Sequence, residues 1–291
     1  MDRSKKLLLI FGFSLALMAL EAGGGILSHS LALLSDAGHM LTDSLSILLS
    51  YLAFRWSAKP ATASKTFGYH RAEIIVALIN GLALAAISVY IFVEAAHRFL
   101  HPEPIKVGIM LIVAAIGLAG NIFGLILLHS ESNENLNVRG AFLHILGDTI
   151  SSLGVIAGGV IIIFTNWIVV DALISVIIAG IVLRSAVNLI FESGEILLEG
   201  VPRGINLPLL KAEIGRIEGI RDIHDIHIWT ITSGKHAMSA HLLINDITTR
   251  QSQAIVLKVR SMVEEKFSIS HTTLEVECDT CKNNLCEFEH E

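Results

Sequence analysis

Long apolar runs separated by short polar segments fill the first two thirds of the chain. About six of these runs have the roughly twenty residues that a helix needs to cross the hydrocarbon core of a bilayer. They are Leu7–Leu27, Leu31–Phe54, Ala72–Phe99, Val107–Leu128, Ala141–Phe164 and Ile168–Ile190. The pattern therefore predicts a membrane α-helical bundle of six transmembrane helices over residues 1–200.

The pattern changes after Phe191, where the apolar runs shorten and charged residues become more frequent. The segments "NLPLLKAEIGRI" and "TRQSQAIVLKVRSMVEEKF" have helical periodicity, whereas "IRDIHDIHIWTI", "KHAMSAHLLI" and "HTTLEVEC" alternate as strands do. Ser233-Gly234 forms the turn between the first two strands. This order predicts a ferredoxin-like α+β domain (α-β-β-α-β) over residues 201–291, with two helices on one face of the sheet.

Composition and charge support a membrane protein. Charged residues make up 16% of the chain, compared with about 25% in soluble domains. The net charge of −6 gives no sign of nucleic-acid binding. Basic residues precede the first span and lie between the second and third spans (Arg3, Lys5, Lys6, Arg55, Lys59, Lys65 and Arg71), whereas the opposite side carries Arg98 and Lys106. This bias predicts that both termini are cytoplasmic.

Ionisable residues interrupt two of the predicted spans. The second span carries His39 and Asp43, and the fifth carries His144 and Asp148 at the same spacing of four. Residues four apart lie on one face of a helix, one turn above the other. Burying such groups in a membrane is unfavourable, so they usually face a cavity, a partner or a substrate.

A single His–Asp pair is also compatible with an internal hydrogen bond that fixes helix packing. Two identical pairs in separate spans favour a metal site, because two nitrogens and two oxygens suit a tetrahedral ion such as zinc. An intramembrane zinc hydrolase is an alternative, but four protein ligands would close the open position that such an enzyme needs. A membrane-anchored zinc sensor is another, although it has no need of ligands within two spans. Four other polar residues of the spans are expected to pack or to line a water path: Glu21, Glu94, Asn121 and Asp171.

Four segments together resemble the cation diffusion facilitator family, in its zinc-transporter branch: "SDAGHMLTD", "FGYHRAEI", "LNVRGAFLHILGD" and the tail. The resemblance implies a homodimeric transporter, not an enzyme, in the cell inner (plasma) membrane. It implies efflux of zinc, and of cadmium or cobalt, in exchange for protons. The transport site would consist of His39, Asp43, His144 and Asp148.

The resemblance also implies features outside the spans. His224, His241 and Glu277 match a regulatory zinc site of the cytoplasmic domain, where zinc would be a ligand as well as the substrate. Cys278 and Cys281 form a Cys-x-x-Cys pair, which is a possible half-site for zinc. The loop that binds a second metal in some relatives has Thr62, Lys65 and Tyr69 at the matching positions, so that site is expected to be absent in its usual form. A charge contact is expected between Arg71 and Glu199.

Overall fold

The structure is a computed structural model of the 291-residue chain. It describes residues 3–41, 44, 62–129, 136–232 and 234–279, and for residues 3–11, 128–129, 136–141, 143 and 144 it describes the backbone alone. In these ranges the helices and strands are α1 (Arg3–Ser28), α2 (31–41), α3 (Ala72–Leu100), α4 (Val107–His129), α5 (Leu136–Thr165), α6 (Val169–Leu197), α7 (Leu207–Gly215), β1 (Ile220–Thr232), β2 (Lys235–Ile244), α8 (Thr249–Phe267) and β3 (Ile269–Glu277).

The helices confirm most of the predicted membrane spans. In the described ranges, α3, α4, α5 and α6 each contain a segment long and apolar enough to cross a bilayer, and α1 contains the shorter apolar segment Gly12–Ser28. The second predicted span, Leu31–Phe54, begins as α2 at residue 31, but half of it lies outside the described residues. The sixth helix ends at Leu197 rather than at Ile190. It continues beyond the apolar run on which the prediction was based, through Glu192 and Glu195.

The helices of the membrane part pack through large apolar side chains and through glycines. Leu33 of α2, Met110 of α4 and Val155 of α5 lie in one buried cluster. Close approach depends on glycine: a Cβ at Gly81 of α3 would lie 3.3 Å from the carbonyl oxygen of Ala186 on α6. Small residues allow helix backbones to approach in this way inside membranes.

The C-terminal residues form a three-stranded sheet in the order β1-β2-β3. Strands β1 and β2 pair antiparallel, with Thr232 opposite Lys235, and β2 and β3 pair parallel. Parallel neighbours need a crossover connection, which α8 supplies. Leu210 of α7 and Val259 of α8 are both fully buried in one core with side chains of the sheet. The predicted α-β-β-α-β order is therefore confirmed.

Local sequence explains where the two helices of this domain begin and end. Asn206 caps α7, because its side-chain oxygen accepts a hydrogen bond of 3.0 Å from the backbone N–H of Leu209. Thr248 caps the start of α8, and its backbone N–H donates to the Gln251 side chain at 3.0 Å. Ser268 ends α8 in the left-handed conformation, with φ of 56°. Such caps satisfy backbone groups that a helix end leaves unpaired.

The chain divides into two compact units. One comprises Met1–Leu52 and Val76–Ile190, and the other comprises Ala53–Ile75 and Phe191–Glu291. The loop that precedes α3 thus belongs to the same unit as the C-terminal sheet. The division into domains 1–200 and 201–291 stays a prediction.

Candidate metal centres

Helices α2 and α5 meet through a partly buried hydrogen bond inside the membrane part. The hydroxyl of Ser151 on α5 donates to the carboxylate of Asp36 on α2 at 2.8 Å. Asp36 is 1% exposed. Two spans with an even number of spans between them run in opposite directions, and two spans, α3 and α4, lie between α2 and α5. One turn further along α2 leads to His39, and one turn back along α5 leads to Asp148.

The structure describes part of the predicted transport site. The side chain of His39 is half-buried, and Asp148 is buried at 4% exposure. His144 lies on α5 one turn before Asp148, with its backbone described. Asp43 lies outside the described residues. The four-ligand site therefore stays a prediction, and the described half places one imidazole and one carboxylate on facing helices one turn below the Asp36–Ser151 contact.

A third helix adds a carboxylate to the same region. Glu21 of α1 is 1% exposed, and it lies close enough to Asp36 and Asp148 for their charges to interact. One of its carboxylate oxygens occupies the space beside Gly117 that a larger residue would fill. Several carboxylates gathered away from water are stable only when protons or a cation offset their charge. This region of the bundle is therefore suited to a cation or to protons.

The C-terminal sheet brings three predicted ligands together. His224 of β1 lies opposite His241 of β2, and Glu277 ends the adjacent strand β3. His241 Nδ1 lies 2.8 Å from Glu277 Oε1, and His224 Nε2 lies 3.4 Å from Glu277 Oε2. The three side chains can offer ligand atoms within 4.8 Å of one another, and among the described residues they are the group of three or more metal-ligand side chains that meets this condition. Zinc is commonly held by such a set of nitrogens and oxygens.

Sequence reasoning missed Asp225, which borders this cluster. Its carboxylate lies 2.9 Å from His227 Nε2 and 3.5 Å from His241 Nε2. It occupies a bulge of β1, between His224 and His227, with φ of 48°. The bulge breaks the two-residue alternation and redirects the side chain, so alternation alone could not place it. The run "HDIH" was the available signal.

The structure describes one cysteine of the predicted Cys-x-x-Cys pair. Cys278 is an exposed free thiol just after β3. Cys281 lies outside the described residues. The Cys-x-x-Cys half-site stays a prediction.

Comparison with known proteins assigns the chain to a protein family. Residues 7–198 match the model of the cation efflux transmembrane domain, and residues 202–278 match the model of the cation efflux protein cytoplasmic domain. The chain belongs to the cation efflux family. A relative named "Cadmium, cobalt and zinc/H(+)-K(+) antiporter" from Bacillus velezensis is 44% identical over 94% of this chain and 88% of its own length.

Two further relatives of this cation efflux protein agree with that assignment. "Zinc transporter ZitB" from Escherichia coli is 38% identical over 99% of this chain and 91% of its own length. "Metal cation efflux system protein CzcD" from Cupriavidus metallidurans is 38% identical over 90% of this chain and 83% of its own length. These relatives are transporters and not enzymes, so the family does not support the intramembrane hydrolase.

The predicted charge contact of the cation efflux protein is confirmed. An Arg71 guanidinium nitrogen donates to the Glu199 carboxylate at 2.8 Å, and both side chains are well exposed. Exposed ion pairs of this kind contribute up to about 1 kcal/mol. The contact links the loop before α3 to the segment after α6.

Charge reversal tests the role of this contact. Glu199→Lys is expected to lower the transport rate by up to about fivefold, because about 1 kcal/mol of attraction becomes repulsion. Adding Arg71→Glu is expected to restore part of the rate. The measurement is the initial rate of zinc transport by the two single variants and the double variant in liposomes. A double variant no faster than the slower single variant would show that the contact has no role in transport.

A second unforeseen feature is the cap at the start of α2. Asp171 of α6 accepts hydrogen bonds from the Ser30 hydroxyl at 2.6 Å and from the Leu31 backbone N–H at 2.7 Å. A longer bond of 3.4 Å comes from the N–H of Ala32. A carboxylate at this position satisfies free N–H groups and favours the positive end of the helix dipole. The sequence predicted packing or hydration for Asp171, and the structure shows that it caps the helix that carries His39.

Removing this cap is expected to fray the first turn of α2. Asp171→Ala should raise the hydrogen-exchange rates of the Leu31 and Ala32 amides by about fivefold, which corresponds to the loss of about 1 kcal/mol for a helix cap. The matched control is Ser175→Ala, which removes a bond from the Ser175 hydroxyl to the Asp171 carbonyl within α6. Unchanged exchange in Asp171→Ala would refute the capping role.

Proposed function

We propose that this protein moves zinc, and also cadmium and cobalt, out of the cytoplasm in exchange for protons. The observation that carries the proposal is the buried Asp148 beside the α2–α5 contact, on a helix whose His144–Asp148 spacing repeats that of His39 and Asp43. Zinc is the substrate, and these four side chains are its ligands during transport. The names of the relatives, which include zinc, cadmium and cobalt, support this choice of ions.

Competition between protons and metal for the same atoms would couple the two movements. A neutral imidazole and an ionised carboxylate bind metal, whereas their protonated forms do not. A site open to a near-neutral cytoplasm loses protons and takes zinc. The same site open to a more acidic exterior takes protons and releases zinc. Alternating exposure of one site thus gives antiport, in which proton entry drives zinc exit.

The protein acts as a homodimer in the cell inner (plasma) membrane, with both termini in the cytoplasm. Support for the orientation comes from the basic residues that precede the first and third spans and from the family model that covers residues 202–278. In this arrangement His224, His241 and Glu277 bind zinc on the cytoplasmic side as a regulatory ion. Their convergence on one set of ligand atoms supports that role.

Metal flux into liposomes separates this function from the alternatives. Purified protein is reconstituted, zinc is added outside, and a zinc-sensitive dye reports its arrival inside. We expect saturable flux of zinc, cadmium and cobalt, with the dye response dependent on a proton gradient. Protein that binds zinc without moving it would be a sensor, which would overturn the proposal. Flux that requires potassium inside rather than a proton gradient would assign the exchanged ion to potassium, an ion in the name of the Bacillus velezensis relative.

A further inference from the structure

A cavity of about 440 Å³ lies within the unit that contains the C-terminal sheet. The loop before α3 forms one wall through Lys65, His70 and Arg71, and the segment after α6 contributes Glu199. Strand β1 contributes Trp229 to the lining of this open cavity. Its size is within the range of small-molecule sites. The metal clusters described above do not include these residues.

The charges and donors of the cavity favour an anion. Among its described lining residues, Lys65 and Arg71 are basic and Glu199 is acidic. The Lys65 ammonium lies 5.4 Å from the centre of the Tyr69 ring and is exposed, so it can turn toward a ligand. The hydroxyls of Ser64 and Thr66 add donors on the same wall. Ammonium, guanidinium and hydroxyl groups are the partners that phosphate oxygens prefer.

The position of the cavity along the chain indicates the source of that anion. Arg71 directly precedes α3, and Glu199 follows the end of α6 by two residues. Both helices are long and apolar enough to cross a bilayer. The start of α3 therefore lies where lipid headgroups begin, and the polar last turns of α6, from Glu192 onward, extend through the headgroup layer. A half-buried tryptophan such as Trp229 is also frequent at this level of a membrane.

We propose that this cavity binds the phosphate of an anionic phospholipid headgroup in the leaflet next to the C-terminal domain. Lys65 and Arg71 attract the phosphate, and the Ser64 and Thr66 hydroxyls donate to it. Glu199 lies 2.8 Å from the Arg71 guanidinium. Its negative charge repels the phosphate and therefore weakens lipid binding. A lipid bound here would contact the loop before α3, the end of α6 and β1 together. Transport would then depend on the anionic lipid content of the membrane.

Trp229 provides a direct readout of occupancy. The chain has three tryptophans, so Trp56→Phe and Trp167→Phe leave Trp229 as the fluorophore in the full-length protein. Dihexanoyl phosphatidylglycerol, dihexanoyl phosphatidylcholine and inorganic phosphate are titrated separately into the purified protein in neutral detergent. We expect a saturable change with phosphatidylglycerol, and little change with the other two.

Two variants with opposite expected effects on lipid affinity, together with one control variant, test whether the lipid binds in this cavity. Lys65→Gln is expected to weaken phosphatidylglycerol binding about fivefold, as expected for one basic residue near an anionic headgroup. Glu199→Gln is expected to strengthen it, because a carboxylate leaves the cavity. Lys211→Gln removes an exposed charge of α7 and should change nothing. Equal loss in Lys65→Gln and Lys211→Gln, or no saturable response, would overturn the site. Saturation by inorganic phosphate at the same concentration would overturn the assignment to a lipid.

Discussion

His39→Ala and Asp148→Ala are each expected to lower zinc transport on the order of a hundredfold or more, and to leave a folded protein. Each substitution removes one proposed ligand of the intramembrane site, and loss of even a supporting partner of a metal ligand often costs 10–100-fold. Asp43→Ala and His144→Ala are expected to have the same effect. The measurement is the initial rate of zinc entry into liposomes at matched protein content.

A neighbouring substitution controls for damage to helix packing. Thr149 is next to Asp148, and its hydroxyl donates to the carbonyl of Ile145 in its own helix. Thr149→Ala is thus expected to change the rate only slightly. Transport at the wild-type rate in any two of the four ligand variants would refute the intramembrane site. A loss in Thr149→Ala as large as that in Asp148→Ala would assign the effect to packing.

Zinc is expected to stabilise the isolated C-terminal domain, residues 201–291, by about 2.7 kcal/mol at a hundredfold excess over its dissociation constant. The domain has its own buried core, and for a domain of this size that energy raises the melting temperature by roughly 10–20 °C. His241 is the central residue of the proposed zinc site, because its two nitrogens lie near Glu277, Asp225 and Glu275. His241→Ala is therefore expected to abolish most of the rise, as measured by thermal unfolding with and without zinc.

A histidine outside the cluster is the matched control. His271 lies on β3, and its ring packs against that of Phe67. His271→Ala is expected to keep the zinc-dependent rise. In the full-length protein, His241→Ala should still transport, but should need more zinc to reach half its maximal rate. If zinc does not change the melting temperature of the isolated domain, the cluster of His224, His241 and Glu277 is not a zinc site.

The membrane helices and the order of the C-terminal elements were predictable from short-range patterns. A run such as Val107–Leu128 has one stable arrangement in a bilayer, and it forms α4. The alternation of "KHAMSAHLLI" and the Ser233-Gly234 turn likewise predicted β2 and its hairpin with β1. The pairing of His224 with His241 does not follow from the turn alone, because the register shifts between Thr230 and Thr232 and again between His224 and His227.

Features that depend on distant parts of the chain were not predictable. Asp171 caps a helix that begins 140 residues earlier, at Leu31. Asp225 reaches His241 because a bulge changes its direction, and no local pattern shows the bulge. The parallel pairing of β2 with β3 depends on how α8 packs across the sheet. The Arg71–Glu199 contact was anticipated from the family resemblance, since the residues between them give no physical signal for it.

Net zinc movement under an imposed pH gradient tests the central claim most directly. Liposomes containing the wild-type protein are prepared with zinc at equal concentration on both sides and with either an acidic or an alkaline interior. If protons and zinc compete for one intramembrane site, zinc accumulates in the acidic interior and leaves the alkaline one, while Asp148→Ala shows neither movement. Zinc movement that is the same for both gradients, or that persists in Asp148→Ala, would contradict the account.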